Sequence, residues 1–346
     1  MMVFRGRFWT TLFFIAASAG VWYLLEGFTY RMLLAAVPVL FAAQLMLSDA
    51  LEGMLVSRVG WRTRWFTLLI APGTILHELC HLLAALATGC TVTKAALFKP
   101  NPQTGVLGSV SYTQPSDRWV VFREFIIGFS PFFGCGLLLF AFNMLSGGDL
   151  ASLVNDAPIT DFSQAADLAS DIVSSMADAA SKLDYDEPLI WLYLYLQVCF
   201  SIGAAPSGAD FKGSFTSLYK HPLSTLFFAA FIAFLVLASQ EHFSLWGYEG
   251  RLASAVAASL RFVIVVLLLS IALLLASIPV AYLGVKLAEI KGIAKTIPVT
   301  AGALTLYLLR EDYGLRYGIL GAAAVFTATL LILRYGHLLS GGKKRE

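Results

Sequence analysis

Two histidines and a glutamate lie at metal-ligand spacing within an apolar stretch in the first third of the chain. His77, Glu78 and His81 form the pattern H-E-x-x-H inside residues 66–87. On a helix, the two histidines lie one turn apart on the same face, with the glutamate beside them. Two neutral imidazoles so placed can bind one Zn²⁺, and the glutamate can take a proton from metal-bound water. The pattern predicts a metal site with His77 and His81 as ligands and Glu78 as the catalytic base.

The apolar surroundings strengthen this metal-site interpretation. Ionisable side chains at membrane depth are costly, and where they occur they mostly serve a function. The alternative is a buried polar cluster that hydrogen-bonds to the backbone and contributes only to packing. A catalytic zinc usually has three protein ligands and an open position for water, so the chain must supply one further ligand.

The composition of the chain is that of a membrane protein. Of its 346 residues, 58% are hydrophobic and only 13% are charged, and this charged fraction is about half that of globular domains. Apolar runs near the length of a bilayer crossing recur along the whole sequence. No basic patch with interleaved aromatic residues is present, which excludes a nucleic-acid-binding protein.

These runs predict an all-α polytopic membrane protein with about eight or nine transmembrane helices. The predicted spans cover residues 1–25, 30–47, 66–87, 119–145, 188–205, 222–239, 255–283, 297–309 and 317–333. The span at 297–309 is short, which leaves the count between eight and nine. We expect the first span to be retained rather than cleaved as a signal peptide, because further spans follow at once.

Two neighbouring features are expected to position the motif. Pro72 and Gly73 precede it, and either a new helix begins at Thr74, with its hydroxyl as a cap, or one helix continues through a proline kink. After the motif, residues 91–98 and 105–113 are β-prone and are separated by turn-forming residues. We predict a small β-hairpin next to the active-site helix; an ordinary interfacial loop is the alternative.

The chain divides into three predicted regions. Residues 1–65 hold N-terminal membrane spans, residues 66–221 form the core with the metal motif, and residues 222–346 hold C-terminal spans. Within the core, the loop at 146–187 carries nine acidic residues and one basic residue, Lys182. Apolar residues recur there at helical spacing: Phe162, Ala165, Ala169, Ile172, Met176, Ala179 and Leu183. They predict an acidic amphipathic helix outside the membrane, which we interpret as a solvated cover.

The distribution of positive charge predicts the orientation in the membrane. By the positive-inside rule, the lysines within 94–99, 212–220 and 286–295 and the basic tail at 343–345 lie together in the cytoplasm. The acidic loop then lies outside, although arginines within residues 1–64 disagree with this assignment. We therefore expect a multi-pass protein of the cell (plasma) membrane whose site opens to the cytoplasmic side.

Asp210 is the predicted third metal ligand. It follows a Pro-Ser-Gly turn where a membrane run ends, so its carboxylate can reach inward to a metal on a neighbouring helix. A helix cap or an interfacial aspartate is the alternative interpretation. The remaining histidines, His221, His242 and His337, lie at or near the ends of apolar runs, where a surface position is usual.

Taken together, these features resemble the site-2 protease family of intramembrane zinc metalloproteases. In that family the later motif is typically Asn-x-x-Pro followed by Leu-Asp-Gly, and its aspartate is the third zinc ligand. The matching stretch here, residues 205–213, contains Pro206 and Asp210 but lacks the asparagine and has no glycine directly after the aspartate. The chain thus resembles a divergent member, in which Ser201 or Ser207 is a candidate replacement for the asparagine.

The resemblance implies one Zn²⁺ per chain, held by His77, His81 and Asp210, with Glu78 as the catalytic residue. The implied reaction is hydrolysis of peptide bonds in or near transmembrane segments of other membrane proteins. The implied partners are therefore a transmembrane protein substrate, locally unwound at the scissile bond, and the lipid bilayer. The edge of the predicted hairpin is suited to hold an extended substrate by strand addition.

Two further interpretations of the chain remain open at this point. One is a non-proteolytic zinc-binding membrane protein, such as a pseudoprotease or a transporter. The other is a different membrane-embedded zinc protease whose third ligand is a glutamate, with Glu124 and Glu187 as the nearest candidates. The oligomeric state is not predicted.

Overall fold

The computed structural model describes residues 2–26, 31–59, 64–101, 106–155, 161–205, 208–238, 249–290, 294 and 296–339. Within these residues the chain forms twelve helices and one β-hairpin. The helices are α1 (Met2–Leu24), α2 (Arg31–Val59), α3 (Arg64–Ala87), α4 (Val120–Leu145), α5 (Leu150–Asn155), α6 (Phe162–Lys182), α7 (Pro188–Gly203), α8 (Gly208–Lys220), α9 (Pro222–Ala238), α10 (Glu249–Glu289), α11 (Thr296–Tyr313) and α12 (Leu315–Leu339). The strands are β1 (Thr91–Ala96) and β2 (Ser109–Thr113). The predictions of a mostly helical chain and of a small hairpin are confirmed.

Four helices are long and apolar enough to cross a membrane. The segments that meet this requirement are Arg31–Leu51 in α2, Ile70–Ala87 in α3, Val120–Leu145 in α4 and Ser254–Leu287 in α10. Each overlaps a predicted span. Shorter apolar segments lie in α1, α7, α9 and α12. The fold is therefore compatible with a membrane protein, and the total of eight or nine crossings stays a prediction.

Helix α3 runs without a break through Pro72 to the metal motif. Thr74 does not cap a new helix, because its hydroxyl donates to the carbonyl of Ile70, four residues back in the same helix, at 3.2 Å. Of the two arrangements that the sequence allowed, the continuous helix is the one that forms. His77 and His81 therefore lie on one uninterrupted helix.

The hairpin follows α3 directly. Gly89, with φ of 77°, makes the turn out of the helix in a backbone conformation that favours glycine. The strands pair antiparallel from Thr91 opposite Thr113 to Ala96 opposite Ser109, with an irregularity between Val92 and Lys94. The pairing continues beyond the strands, since the Lys99 amide donates to the Leu107 carbonyl at 2.7 Å. This continuation extends the paired region past Gly108 to Leu107.

The largest buried cluster joins helices from distant parts of the sequence. It includes Leu139 of α4, Phe200 of α7 and Leu269 of α10. Helix α10, from the predicted C-terminal region, thus packs into the same core as α4 and α7. The division of the chain into three regions stays a prediction.

Helix α6 is the helix predicted in the acidic loop, and its inner face packs on this cluster. Leu168 and Ile172 are buried there. Asp161 begins the helix by accepting a hydrogen bond from the Gln164 amide at 2.9 Å. Phe162, which the helical pattern assigned to the buried face, is instead 80% exposed. It is the first helical residue and precedes the point where the helix meets the core.

Glycines allow helices to approach closely where the site is built. A Cβ at Gly73 of α3 would overlap the Cys199 carbonyl oxygen of α7, and one at Gly203 of α7 would lie 2.7 Å from the Gly73 carbonyl oxygen. A Cβ at Gly128 of α4 would lie 2.5 Å from the Ser214 hydroxyl of α8. Small residues at such crossings let backbones pack directly against one another.

Candidate metal centre

Three side chains from two helices converge at one point. His77 and His81 project from α3, and Asp210 projects from the first turn of α8. The two histidine Nε2 atoms are 3.1 Å apart. Asp210 Oδ2 lies 3.4 Å from His77 Nε2, and Asp210 Oδ1 lies 3.2 Å from His81 Nε2. The structure thus brings together the three residues that the sequence suggested as ligands.

Both imidazole rings are oriented by backbone carbonyls of other helices. His77 Nδ1 lies 2.8 Å from the Gly203 carbonyl oxygen of α7, and His81 Nδ1 lies 2.8 Å from the Ile127 carbonyl oxygen of α4. A carbonyl only accepts hydrogen bonds, so each Nδ1 carries the proton and donates it. In the neutral ring Nε2 is then bare, with its lone pair directed at the other histidine and at Asp210.

This arrangement requires a positive charge at its centre. Two bare nitrogens and a carboxylate repel one another at these distances unless a metal ion or additional protons lie between them. In a tetrahedral zinc site with bonds of about 2.0 Å, ligand atoms are about 3.3 Å apart. The two Nε2 atoms are 3.1 Å apart, and each has a different Asp210 oxygen within 3.4 Å, so each pair of neighbouring ligand atoms is close to that spacing. Metal-binding histidines also typically donate their other N–H to a carbonyl or carboxylate, so the residues fit a metal ion.

Helix α8 is held on α4 at the level of the site. The Ser214 hydroxyl donates to the Glu124 carbonyl at 3.0 Å. A Cβ at Gly128 would lie 3.3 Å from the Asp210 carbonyl oxygen. Because Ile127, which orients His81, is adjacent to Gly128, the same part of α4 positions one histidine and the aspartate.

Glu78 lies beside the candidate metal ligands, under the turn end of the hairpin. A Cβ at Gly108 would lie 2.6 Å from Glu78 Cγ and 2.8 Å from the Leu97 carbonyl oxygen. The hairpin therefore forms the wall of the site next to Glu78, and only glycine allows this contact. The side chain of Glu78 itself is partly buried.

The glutamates considered as alternative ligands are placed elsewhere. Both carboxylate oxygens of Glu124 accept hydrogen bonds, from the Tyr112 hydroxyl at 3.1 Å and from Gln114 Nε2 at 2.7 Å. Glu187 is exposed at the start of α7, at the opposite end of that helix from Gly203. Within the described parts of the chain, the only histidine, cysteine, aspartate and glutamate group compact enough for a metal ion is the one formed by His77, His81 and Asp210.

Of the two serines considered as replacements for the missing asparagine, the structure describes only Ser201. The Ser201 hydroxyl is buried and donates to the Val198 carbonyl of its own helix at 2.8 Å. Ser207 lies outside the described residues, as does His242. The partly buried His221 lies between α8 and α9, at the end of an apolar run as expected.

The candidate metal site lies well inside the helical bundle but nearer to one end of it. Ile127 is seven residues from Val120, the first residue of α4, so it lies about 10 Å along the helix axis. Trp119 and Tyr219 lie at this end of the molecule and are 42% and 84% exposed. Such aromatic residues are enriched at membrane–water interfaces. The site is therefore closer to the hairpin end than to the end that carries α6.

Sequence patterns did not identify the carbonyls of Gly203 and Ile127, or Gly108. A backbone carbonyl is present at every residue, so nothing in the sequence distinguishes one that orients a ligand. The one available signal was the small-residue stretch around Gly203 at the end of a membrane run, which is typical of close helix packing.

If three protein ligands held a tetrahedral zinc ion, one position would stay open, as in catalytic rather than structural zinc sites. Comparisons of the chain with protein-family models, with curated proteins and with solved structures find no match. Any function assigned to the site must therefore be argued from the side chains of His77, Glu78, His81 and Asp210.

Proposed function

We propose that this protein is an intramembrane zinc metalloprotease that hydrolyses peptide bonds in or near transmembrane segments of other membrane proteins. The observation that carries the proposal is the triangle of His77, His81 and Asp210, with Glu78 on the same apolar helix as the two histidines. Two imidazoles and one carboxylate, with an open fourth position, form a ligand set suited to catalytic zinc. The resemblance to the site-2 protease family supports the same reaction.

Each polar residue of the site then has a defined role. When bound, zinc would polarise the scissile carbonyl and make water a nucleophile at neutral pH. His77, His81 and Asp210 would hold the ion. Glu78 takes a proton from the attacking water and delivers it to the nitrogen of the leaving amine, so the proton balance closes without another group.

The substrate proposed is a transmembrane segment that unwinds locally at the scissile bond. A helical peptide bond is hydrogen-bonded within its own helix, and an unwound segment in the membrane needs new partners for its N–H and C=O groups. An edge of the β1–β2 hairpin can supply them by strand addition. Because the site is nearer to the hairpin end, water would enter from that end. The charge distribution assigns the hairpin end to the cytoplasm.

The test is a comparison of wild type with Glu78→Gln as purified full-length protein in lipid nanodiscs. The substrate is a panel of single-span membrane proteins, and zinc is measured by mass spectrometry. We expect about one zinc per chain in both proteins and a rate of cleavage that is lower by about 10²–10⁴-fold in the variant. Glu311→Gln, an exposed change of the same type on α11, is the matched control and should leave both quantities unchanged.

Three results would contradict the proposal. A wild-type protein without metal after zinc loading would exclude the metal site, and undiminished cleavage by Glu78→Gln would exclude the mechanism. A protein that binds one zinc but cleaves none of the substrates would be a non-proteolytic zinc-binding membrane protein instead.

A further inference from the structure

Glu124 is a half-buried carboxylate near the start of α4 that the proposed chemistry does not use. Its oxygens accept hydrogen bonds from the hydroxyl of Tyr112 in β2 and from the amide of Gln114 just after β2. Burial, and then the nearby Glu124 carboxylate, raise the pKa of the Tyr112 phenol, so this hydroxyl remains a donor at physiological pH. Hydrogen bonds to an ionised carboxylate are about twice as strong as those between neutral groups.

The same residue also contacts the helix that carries Asp210. The Glu124 carbonyl accepts the hydrogen bond from the Ser214 hydroxyl of α8 at 3.0 Å. A Cβ at Gly213 of α8 would lie 3.5 Å from Glu124 Oε2. Glu124 is therefore the point where α4, α8 and the hairpin meet.

The neighbouring Arg123 binds the chain on both sides of the open end of the hairpin. Its Nε donates to the Thr88 carbonyl at the end of α3, at 3.0 Å. Its two terminal nitrogens each lie 2.7 Å from an oxygen of Asp117, in the connection between β2 and α4. Arg123 thus binds the segments that enter and leave the hairpin, and the carboxylate of Glu124 is left to hold β2 itself.

We propose that Glu124 is a positioning residue that docks the hairpin on α4 and thereby holds Gly108 against Glu78. Gly108 directly precedes β2, and Tyr112 lies four residues further, within about 14 Å along an extended strand. Docking at Tyr112 and Gln114 therefore determines how closely the turn end of the hairpin approaches Glu78. The consequence for cleavage rests on the proposed protease function, whereas the docking itself does not.

The test is Glu124→Gln in the zinc-loaded full-length protein, with Glu311→Gln as the matched control. The uncharged amide can accept only at its single oxygen, so at least one charge-assisted hydrogen bond to the hairpin is lost. We expect amide hydrogen exchange in residues 91–113 to become about tenfold faster or more, while exchange in the motif segment of α3 and the zinc content stay at wild-type values. Cleavage should fall about tenfold in kcat/KM.

A second substitution separates positioning from a general loss of folding. Adding Gln114→Glu to Glu124→Gln exchanges the amide and the carboxylate across the same contact, so the pair can hydrogen-bond again. We expect this double variant to recover slow exchange in the hairpin and most of the lost cleavage. The single variant Gln114→Glu, which places two carboxylates together, should resemble Glu124→Gln.

Wild-type exchange of the hairpin in Glu124→Gln would overturn the proposal, as would a double variant no better than the single ones. Loss of zinc from Glu124→Gln would also overturn it, because Glu124 would then act on the ligands. If the wild-type protein cleaves no substrate, the proposed protease function fails, and hydrogen exchange still decides whether Glu124 docks the hairpin.

Discussion

At the scale of single residues, two backbone carbonyls decide what His77 and His81 can bind. Because Gly203 and Ile127 each accept a proton-bearing Nδ1, both Nε2 atoms are directed at Asp210 without protons in the neutral state. This fixes the rings before any ion arrives, so little reorganisation is needed on binding. The pattern H-E-x-x-H supplies the groups, and the carbonyls supply their orientation.

Removing the aspartate tests the proposed ligand set. We expect Asp210→Ala to weaken zinc binding by about 100-fold or more, because loss even of a group that only orients a ligand costs about 10- to 100-fold. Competition titration with a zinc-chelating dye measures the affinity. Asp178→Asn, an exposed change on α6, serves as the control. Full zinc affinity in Asp210→Ala would mean that another residue completes the site.

The contact between Gly108 and Glu78 predicts a variant that impairs cleavage but not metal binding. In Gly108→Ala the new methyl group would overlap Glu78 and the Leu97 carbonyl, so the hairpin or the glutamate must move. We expect a fall in kcat of about 10- to 100-fold, since a displacement of about 1 Å in a catalytic group can have that effect. Zinc content should stay at the wild-type value, and full activity of the variant would disprove the role of this contact.

At the scale of elements, helix crossings with small residues bring the site together. Helices α3 and α7 approach through Gly73 and Gly203, so that the Gly203 carbonyl reaches His77. Two buried hydrogen bonds in series link α2, α10 and α7. The Gln44 amide of α2 donates to the Ser270 hydroxyl of α10, and this hydroxyl donates to the Ser201 carbonyl of α7. Helix α10, which lies outside residues 66–213, therefore contacts the helix that orients His77.

The crossing of α3 and α7 predicts a coupled loss of stability and zinc affinity. We expect Gly203→Ala to lower the free energy of unfolding by about 1–3 kcal/mol, because the added methyl group has no space against the Gly73 carbonyl. It should also weaken zinc binding, since the carbonyl that orients His77 must shift. Thermal unfolding with and without zinc measures both effects.

Gly284→Ala is the matched control for this crossing. A Cβ at Gly284 on α10 would meet no atom within 4 Å, so this variant should keep wild-type stability. Equal unfolding temperatures for the two variants would show that the crossing tolerates a larger residue.

At the scale of the whole molecule, the hairpin and the acidic helix α6 lie at opposite ends of α4. The hairpin, with Lys94 and Lys99, follows the end of α3 and precedes the start of α4, whereas acidic α6 follows the end of α4. Because α4 is long enough to span a bilayer, its two ends lie on different sides of a membrane that it crosses. The site, about 10 Å along α4 from the hairpin end, is then nearer to the hairpin side of that membrane.

This arrangement predicts which substituted cysteines react from each side of the membrane. Lys99 and Asp178 are both exposed, and the native thiols of Cys90, Cys135 and Cys199 are buried. In intact cells, a membrane-impermeant maleimide should label Asp178→Cys at once and Lys99→Cys only after permeabilisation. The protein without either substitution gives the background from native cysteines. Labelling of both variants from outside would refute the proposed topology.

Much of this architecture was predictable from local sequence patterns. Three local patterns could be located along the chain. They are the apolar runs, the H-E-x-x-H motif and the turn-rich segment between two β-prone stretches. They predicted α2, α3, α4 and α10 as apolar helices, and they predicted the hairpin after α3. The sequence left open whether α3 ends at Pro72 or continues through it, because the outcome depends on how the surrounding helices pack.

The sequence by itself determined which residues are able to bind a metal ion and transfer a proton, because residue type and helical spacing are properties of the chain alone. It also suggested Asp210, through the turn before it at the end of an apolar run. Only the tertiary structure decided that the Gly203 and Ile127 carbonyls orient the histidines, that Gly108 lies on Glu78 and that Glu124 holds the hairpin. These contacts join residues far apart in the chain, and they form only when glycines allow α3, α4, α7 and α8 to pack closely, which no local pattern specifies.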